Sequence, residues 1–557
     1  MDIAIEQPTA TATRQSEAHS KAFRWVAAAL LTTLVLQLPL VLNRAINWDE
    51  FFHYSQVVKM ANGTLTLPLQ TLYTRAFVWV PGLPGLGVDH IILIRLFMLT
   101  CELVTLACIA GIAARFTNWT TGLLCALAYL SASFIFRHGT SFRFDPPATA
   151  LLMASAWILL RYGLRPPAML VAALLAGTST VLTIKSVLYA PVFAGIAWLL
   201  WVEGERRRED LVRFVALILG TMLCAALIYA LHAGTLGEES GKAARSLVTR
   251  AGGTLFTFGN PLYRWHAFIF VVTSPILALA ALAAPIAIWR GTGDMSRKVV
   301  LTGMWLPLTT LLFYQNTAPY YYVFMMAPVS VAASPVFALA SRRYGSGIFA
   351  LAMVAFAGTY LAGEPENTIE RQRQIQQQAQ RIFPEGTAYF DACAMLGTFP
   401  KANVFMTPWG IRDYLSGNLP SMVEAMQRDP VPLLVNNDWM FDDAVRGKIG
   451  VNVFLPQDLA AIRDTYVPFW GPFWVAGKLV AADSRSIAWN VRVPGPYTVR
   501  DSAMIIDGHR FDKGDVVTLN RGLHILSAEK ERARLLWGER LETPVSNPPA
   551  EPYYMPF

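Results

Sequence analysis

The chain has 557 residues, of which 54% are hydrophobic and 15% charged, and its mean hydropathy is +0.39. Long uncharged apolar runs in such a chain are typical of a membrane protein with many spans, and they exclude a soluble globule, a coiled coil and a disordered chain. The formal net charge of +8 lies mostly in short clusters between these runs, where membrane topology explains it, so no nucleic-acid partner is expected.

The apolar runs predict a polytopic α-helical membrane protein. After a polar segment, the run at residues 25–42 is long enough for a helix to cross a bilayer and predicts an uncleaved signal anchor. Lys185 separates two of the later runs, and merging them would reverse the orientation of everything that follows. With the two kept apart, the chain has about eleven predicted transmembrane helices; the ten after the anchor are at residues 96–114, 119–136, 146–160, 168–184, 186–202, 214–231, 267–289, 299–314, 320–340 and 348–361.

The basic residues predict the orientation. With eleven spans, the arginine-rich and lysine-rich turns all fall on one side, which the positive-inside rule assigns to the cytoplasm. Residues 1–24 are then a cytoplasmic N-terminal segment and residues 25–362 a transmembrane domain. The outer face receives the loops at residues 43–95, 137–145 and 232–266, and a periplasmic C-terminal domain at residues 363–557.

The C-terminal domain has a different composition from the rest of the chain. It opens with a glutamine-rich run at residues 371–381 that has helical character, and it is long enough to fold independently. From about residue 485 it contains short β-favouring runs at residues 497–499, 516–519 and 524–526, with the turn signal Asp507-Gly508. We therefore expect an α/β domain that ends in a β-rich unit.

The first candidate site follows the first span on the outer face. Asp49 and Glu50 are adjacent carboxylates at a membrane surface, where they are expected to be hydrated, paired or functional. In a helix, Asp49 and His53 would lie four residues apart on one face, with Tyr54 beside them. The alternative is a solvated helix start with Asp49 as its cap.

The second candidate site is Arg143-Phe144-Asp145-Pro146, at the outer end of the fourth predicted span. An aspartate at this position can simply cap the helix. However, Arg143 and His138 are close in sequence, and Asp49 is on the same side of the membrane. Two acidic sites among cations are the pattern expected where an anionic substrate is held and a hydroxyl is deprotonated.

Other residues on the outer face are candidates for binding an anionic substrate. Lys185 is isolated at the outer interface, where it could extend to the lipid surface or contact a phosphate. Arg75 and Arg264 are weaker candidates for the same task. Tyr320 begins a tyrosine triplet that is most simply an interfacial aromatic belt.

The chain resembles the GT-C superfamily of integral-membrane glycosyltransferases, in particular the bacterial branch with the lipid A aminoarabinose transferases and the family 39-like protein O-mannosyltransferase-like proteins. The similarity covers roughly residues 25–345. It lies in Asp49-Glu50 with Tyr54, in Arg143-Phe144-Asp145-Pro146, in Thr183-Ile184-Lys185 with Pro191, and in residues 320–328. The family commonly has Thr-Lys-Gly where this chain has Thr183-Ile184-Lys185-Ser186.

The resemblance implies an enzyme that moves a sugar from a polyprenyl-phosphate carrier to an acceptor, with inversion at the anomeric carbon. The acceptor would be lipid A or lipopolysaccharide, a polysaccharide or a protein, and the setting the inner membrane of a Gram-negative bacterium. Asp49 would be the general base, with Glu50 and Asp145 positioning it or the acceptor. The substrate-binding set would be Lys185, Arg143, His53, Tyr54, Arg75, His138, Arg264 and Tyr320.

Two other functions remain open at this stage. An O-antigen ligase or polymerase would also use lipid-linked sugars and would rely on arginine and histidine in a long outer loop, such as residues 242–266. A transporter or flippase of lipid-linked or anionic solutes would carry ionisable groups near the midplane and inverted repeats, and no repeat is evident. No cofactor is required by the sequence, although a divalent cation could bridge Asp49 or Asp145 to a phosphate.

Overall fold

The computed structural model describes residues 10–236, 264–447, 452–482, 486–528 and 532–554. Side chains are described from Ser20 onward in the first helix, and the side chain of Arg264 is outside the description.

The described residues in the first two thirds of the chain are mainly helical. Each apolar run predicted from the sequence coincides with one helix or with two consecutive helices. The helices are α1 (Ala10–Asn43), α2 (Trp48–Ala61), α3 (Thr74–Phe77), α4 (Gly87–Phe116), α5 (Trp119–Leu130), α6 (Ser133–His138), α7 (Asp145–Tyr162), α8 (Pro166–Leu182), α9 (Ala190–Glu203), α10 (Arg208–Ala233), α11 (Arg264–Thr273), α12 (Pro275–Arg290), α13 (Met295–Trp305), α14 (Tyr321–Ala332), α15 (Ser334–Tyr344) and α16 (Ser346–Ala362).

Fewer helices than predicted are long enough to span a bilayer unaided. Among the described residues, four are long and apolar enough, and the number rises to six if each of two bent pairs is one span. The bends measure 106° between α11 and α12 and 60° between α14 and α15. Three further apolar helices are shorter, α5, α8 and α16. The count of eleven spans therefore stays a prediction, although the helical positions agree with it.

Short 3₁₀ helices interrupt the bundle at Val80–Gly82, Ile184–Tyr189 and Leu306–Leu312. The second of these separates α8 from α9 at Lys185, where the sequence predicted a break between two runs. Pro191 lies in the first turn of α9. Proline has no backbone N–H group, but no hydrogen bond is lost at this position because the first amides of a helix have no intrahelical partner.

The C-terminal region is an α/β domain, as predicted, with five helices and two sheets in its described part. The helices are α17 (Thr368–Ile382), α18 (Pro408–Leu415), α19 (Met422–Arg428), α20 (Trp439–Arg446) and α21 (Pro456–Thr465). The strands are β1 (Tyr389–Phe390), β2 (Leu433–Val435), β3 (Tyr466–Trp470), β4 (Phe473–Val480), β5 (Ile487–Val491), β6 (Gly495–Arg500), β7 (Met504–Ile506), β8 (His509–Phe511), β9 (Val516–Leu519), β10 (Gly522–Ala528) and β11 (Ala533–Trp537).

The sheet region matches the predicted β-rich end. One sheet has the order β1-β2-β4-β11-β6-β9, with β3 also paired to β4, and the other has the order β5-β10-β7-β8. The β7–β8 hairpin turns at Asp507-Gly508, where both residues have positive φ, 51° and 83°. Such a turn matches the right-handed twist of the flanking strands.

Residues 43–95 and the C-terminal domain share one hydrophobic core. Phe51 and Tyr54 of α2 are buried in the same cluster as Ile375 of α17, Phe473 of β4 and Tyr554 near the end of the chain. This shared core fixes the C-terminal domain against the N-terminal ends of α4 and α7, and so determines what faces the candidate site.

Candidate active site

The start of α2 places Asp49 at the site. The N-cap of α2 is Asn47, whose side-chain oxygen accepts from the Glu50 amide while the Glu50 carboxylate accepts from the Asn47 amide. This capping box satisfies two free donors of the helix start. Asp49 is therefore not the cap of the helix, and its carboxylate forms an ion pair with Arg143 instead.

Glu50 has a different environment although it is the next residue. It is fully buried and forms two hydrogen bonds with Arg95, 2.7 Å from Nε to Oε1 and 2.6 Å from Nη2 to Oε2. Burial acts to raise the pKa of Glu50, but the Arg95 charge and the hydrogen bonds to the carboxylate outweigh it and lower the pKa. Since the Phe142 amide also donates to Glu50 at 2.8 Å, this carboxylate holds the loop that carries Arg143.

The start of α7 completes a chain of alternating charges. Asp145 is the first residue of α7 and is completely buried, with Pro146 in the first helical turn. One of its oxygens pairs with Lys185 Nζ, and the other accepts from Arg143 Nε at 3.2 Å. The order of the ion pairs is thus Asp49, Arg143, Asp145, Lys185, and we call these four residues the charge chain.

Aromatic rings enclose the cations of the charge chain. The Arg143 guanidinium carbon lies 3.3 Å from the centre of the Tyr320 ring, and Lys185 Nζ lies 4.8 Å from the Phe144 ring. The Tyr320 hydroxyl donates to Asn316 Oδ1 at 2.9 Å. Cations over ring faces in a desolvated site are stabilised by the ring quadrupole. Both residues therefore belong to the candidate site. Lys185 does not extend to the lipid surface, and Tyr320 is not simply part of an interfacial aromatic belt.

A cavity of about 590 Å³ opens on one end of the charge chain. Asp49, His53, Arg143 and Tyr320 line it from the membrane domain, so the predicted common face of Asp49 and His53 is confirmed. The remaining wall residues are mostly aromatic: Trp48, Phe52, Phe144, Asn316, Phe405, Thr407, Pro408, Trp409, Asp438, Trp439 and Tyr554. Apolar walls with a few placed polar groups are typical of a ligand site.

Two titratable groups of the cavity have shifted pKa values. Burial lowers the pKa of His53 to about 4, so this imidazole is neutral near pH 7, with Nδ1 2.7 Å from the Tyr73 hydroxyl oxygen. Burial raises the pKa of Asp438 to about 6. Asp438 also accepts from the Met440 amide as the N-cap of α20.

Other predicted substrate-binding residues do not line the cavity. Lys185 is paired with the buried Asp145 and lies outside the cavity wall. The Tyr54 hydroxyl lies 2.6 Å from His90 Nδ1 and the ring is in the shared core. Arg75 donates to His232 at 2.8 Å and contacts Thr235. His138 is buried at the end of α6. The side chain of Arg264 lies outside the described residues, as does most of the 232–266 loop on which the ligase alternative depends.

The sequence interpretation missed the part of the cavity that comes from the C-terminal domain. Trp409, Asp438, Trp439 and Tyr554 line the same cavity as Arg143 although they are far from it in sequence. No local pattern in the sequence marks these residues.

The charge chain does not fit a divalent cation. Both carboxylates, Asp49 and Asp145, are already paired with Arg143 or Lys185, which supply the positive charge that a metal ion would bring. Within the described ranges, no group of three or more histidine, cysteine, aspartate or glutamate side chains is placed to hold a metal ion. A hard cation needs several oxygen ligands, so Arg143 and Lys185 are the cations that this site offers to an anion.

The fold is similar to those of two proteins of known structure, ArnT and the archaeal oligosaccharyltransferase AglB. ArnT from Cupriavidus metallidurans in the apo state is similar with a TM-score of 0.55 and 12% identity, over 83% of this chain and 98% of that chain. The structure of the same protein bound to undecaprenyl phosphate is similar with a TM-score of 0.52 and 13% identity, over 78% of this chain and 96% of that chain. The archaeal oligosaccharyltransferase AglB from Archaeoglobus fulgidus, in complex with an inhibitory peptide and a dolichol-phosphate, is also similar. Its TM-score is 0.51 at 9% identity, over 81% of this chain and 74% of that chain. No protein-family model and no curated protein sequence matches the chain.

Proposed function

We propose that the chain is a membrane glycosyltransferase that moves a sugar from a polyprenyl-phosphate carrier to an acceptor hydroxyl, with inversion at the anomeric carbon. The observation that carries this proposal is the charge chain, which joins a cavity-facing carboxylate to two buried cations. The solved structures of similar fold that contain undecaprenyl phosphate or a dolichol-phosphate support the choice of donor.

Asp49 is the general base in this mechanism. Its side chain is 16% exposed and lines the cavity, whereas the side chain of Asp145 is 1% exposed and lies behind Arg143. The acceptor oxygen attacks the anomeric carbon, and its proton passes to the Asp49 carboxylate as the bond from that carbon to the phosphate oxygen breaks. A positioned carboxylate contributes about 10²–10⁴-fold to such a step.

Arg143 and Lys185 bind the phosphate that leaves. The contacts of Arg143 with Asp49 and Asp145 use Nη1 and Nε, and a guanidinium has five N–H donors, so further donors remain for a phosphate. The Lys185 ammonium has three donors and gives one to Asp145. Fixed donors aimed at developing negative charge stabilise the transition state because they need no reorganisation.

The C-terminal domain contributes the acceptor side of the cavity in this proposal. The phosphate-binding cations lie on the membrane-domain side, so the acceptor enters between Asp49 and the wall made by Trp409, Asp438 and Trp439. The acceptor is a glycolipid, a polysaccharide or a protein. The site faces the periplasm of a bacterial inner membrane, as the distribution of basic residues predicts.

Lipid mass spectrometry of whole cells tests the proposal. Cells that lack the gene, or carry Asp49→Asn, should accumulate one polyprenyl phosphate sugar and lose one sugar from an envelope acceptor. Asp89→Asn is the matched control, because Asp89 is also an aspartate in a helix first turn paired with an arginine, Arg373, but it does not line the cavity.

The outcomes separate the functions. The control strain should have wild-type lipids. An Asp49→Asn strain with wild-type lipids would contradict the assignment of the base. A null strain that accumulates no lipid-linked sugar would contradict the transferase and favour a transporter.

A further inference from the structure

A second cavity lies at the opposite end of the membrane helices from the charge chain. Helix α4 begins near the charge chain and runs for 30 residues to Phe116, which is about 45 Å at 1.5 Å per residue. Phe116 lines this second cavity, whose volume is about 340 Å³. We call it the basic pocket. It lies between α12, α13 and α15, with the turn from α4 to α5 beside them.

The charged side chains that line the basic pocket are all cationic. They are Arg297, Lys298 and Arg342, and within the described part of the chain no carboxylate lines the pocket. Lys298 Nζ donates to the Trp289 carbonyl at 3.2 Å, which leaves two of its three donors. Three cations without a lining carboxylate favour an anionic ligand.

The backbone around the basic pocket accommodates one of these cations closely. A Cβ built on Gly293 would lie 3.0 Å from Arg297 Cδ. Any side chain larger than hydrogen at position 293 would therefore press on the arm of Arg297. Thr117 and Asn118 also line the pocket.

The remaining wall of the basic pocket is apolar. Ile288 and Leu301 line it, and so does Leu339, which is 58% exposed. A free phosphate would gain nothing from this wall, whereas a lipid phosphate brings its glycerol and acyl chains with it. Basic pockets between membrane helices suit lipid head groups for this reason.

We propose that the basic pocket binds the phosphate of an anionic phospholipid, with Arg297, Lys298 and Arg342 as its ligands and Leu339 against the start of an acyl chain. This site is separate from the transferase site and does not depend on the proposed function.

Native mass spectrometry of the full chain in detergent micelles tests the proposal. The probes are dioleoylphosphatidylglycerol, zwitterionic dioleoylphosphatidylcholine and inorganic phosphate. The pocket variant is Arg297→Gln with Lys298→Gln and Arg342→Gln. The control variant is Arg206→Gln with Arg207→Gln and Arg208→Gln, which removes as many charges from the turn after α9.

The control turn lies at the same end of the bundle. Arg115 near the end of α4 pairs with Glu203 at the end of α9, 2.7 Å apart. The control variant therefore removes the same charge from the same membrane surface and leaves the basic pocket intact.

Wild type and control should retain one phosphatidylglycerol in preference to phosphatidylcholine. The pocket variant should lose at least about 10-fold in affinity, since each cation near a membrane surface strengthens the attraction of an anionic lipid several-fold. Equal losses in both variants, or retention in the pocket variant, would overturn the proposal. Displacement of the lipid by millimolar inorganic phosphate would also overturn it, in favour of a free-anion site. If the triple variant does not fold, Arg342→Gln alone, at an exposed side chain, must weaken phosphatidylglycerol binding.

Discussion

Adjacent carboxylates in this protein have separate tasks. Asp49 faces the cavity, whereas Glu50 is buried and paired with Arg95, and the Phe142 amide donates to it. We therefore propose that Glu50 is a positioning residue, which holds the loop carrying Arg143 beside Asp49. Loss of either partner of the Glu50–Arg95 pair should destabilise the fold, because the other charge would remain buried.

Glu50→Gln should lower the free energy of unfolding by about 3–5 kcal/mol, because it leaves Arg95 buried without a counter-charge. Thermal unfolding in detergent measures this. Glu203→Gln is the control, since Glu203 also pairs with an arginine but its side chain is 48% exposed, and an exposed pair contributes about 0–1 kcal/mol. Equal effects of the two substitutions would contradict the role given to Glu50.

The burial of His53 should make the free energy of unfolding depend on pH. Its pKa is about 4 in the folded chain, where burial disfavours the charged form, and 6.5 is its ordinary value. Between these values the unfolded chain binds the proton and the folded chain does not, so His53 reduces stability as pH falls from about 6.5 to about 4. His53→Gln should flatten the change of melting temperature across this window. An unchanged slope would show that His53 is not buried in its neutral form.

At the scale of elements, the 3₁₀ helix at Ile184–Tyr189 brings a cation to the site. If α8 and α9 formed one continuous helix, the chain would have no break at Lys185. The break places Lys185 against Asp145 at the start of α7, with the Phe144 ring beside it. This segment therefore departs from α-helical geometry at the lysine that is proposed to bind phosphate.

Lys185→Met should reduce transfer by about 100-fold, the effect typical of losing one transition-state donor. The double variant Lys185→Met with Asp145→Asn also removes the carboxylate that Lys185 balanced, and it should recover stability without recovering activity. Lys59→Met, at an exposed lysine near the end of α2, is the control. Recovery of transfer in the double variant would show that Lys185 only neutralises Asp145.

Helix α17 connects the segment between α1 and α2 to the end of the chain. Gln372 is fully buried; its Nε2 donates to the carbonyls of Ile46 and Tyr553 at 2.7 and 2.8 Å, and its Oε1 accepts from the Ile46 amide at 2.8 Å. The next residue after Tyr553 is Tyr554, which lines the cavity and lies edge-on to Trp48 with ring centres 5.9 Å apart. One glutamine thus joins both sides of the cavity.

Gln372→Ala should lower the free energy of unfolding by about 1–3 kcal/mol, because it leaves buried backbone groups without partners. Hydrogen exchange at the Ile46 amide should become faster, and transfer should fall as Tyr554 is released. Gln374→Ala is the control, since Gln374 makes an exposed hydrogen bond to the Asn547 carbonyl. Unchanged exchange at Ile46 would contradict the role given to Gln372.

For the whole molecule, the sequence could predict what depends on local patterns. Apolar runs indicated the positions of the helices, and β-favouring runs with the Asp507-Gly508 turn indicated the terminal sheets. The shared sidedness of Asp49, Asp145 and Lys185 indicated that they would meet. The bends after α11 and α14 were not predicted, and they are one reason why fewer single helices than expected are long enough to span a bilayer.

Long-range pairings could not be predicted from one sequence. Arg95 is 45 positions from Glu50, and nothing in either segment selects the other. The cavity wall at Asp438 and Trp439 depends on how the C-terminal domain docks through the shared core. Such contacts are decided by packing of the whole chain, so a local pattern carries no signal for them.

The central claim is that Asp49 and the cations of the charge chain transfer a sugar from a polyprenyl phosphate. The most direct measurement is the release of polyprenyl phosphate by the purified chain from the lipid extract of null cells, followed by mass spectrometry. The wild-type chain and Asp89→Asn should release it, and Asp49→Asn should be at least about 100-fold slower. Release by Asp49→Asn at the wild-type rate, or no release by the wild-type chain, would contradict the account.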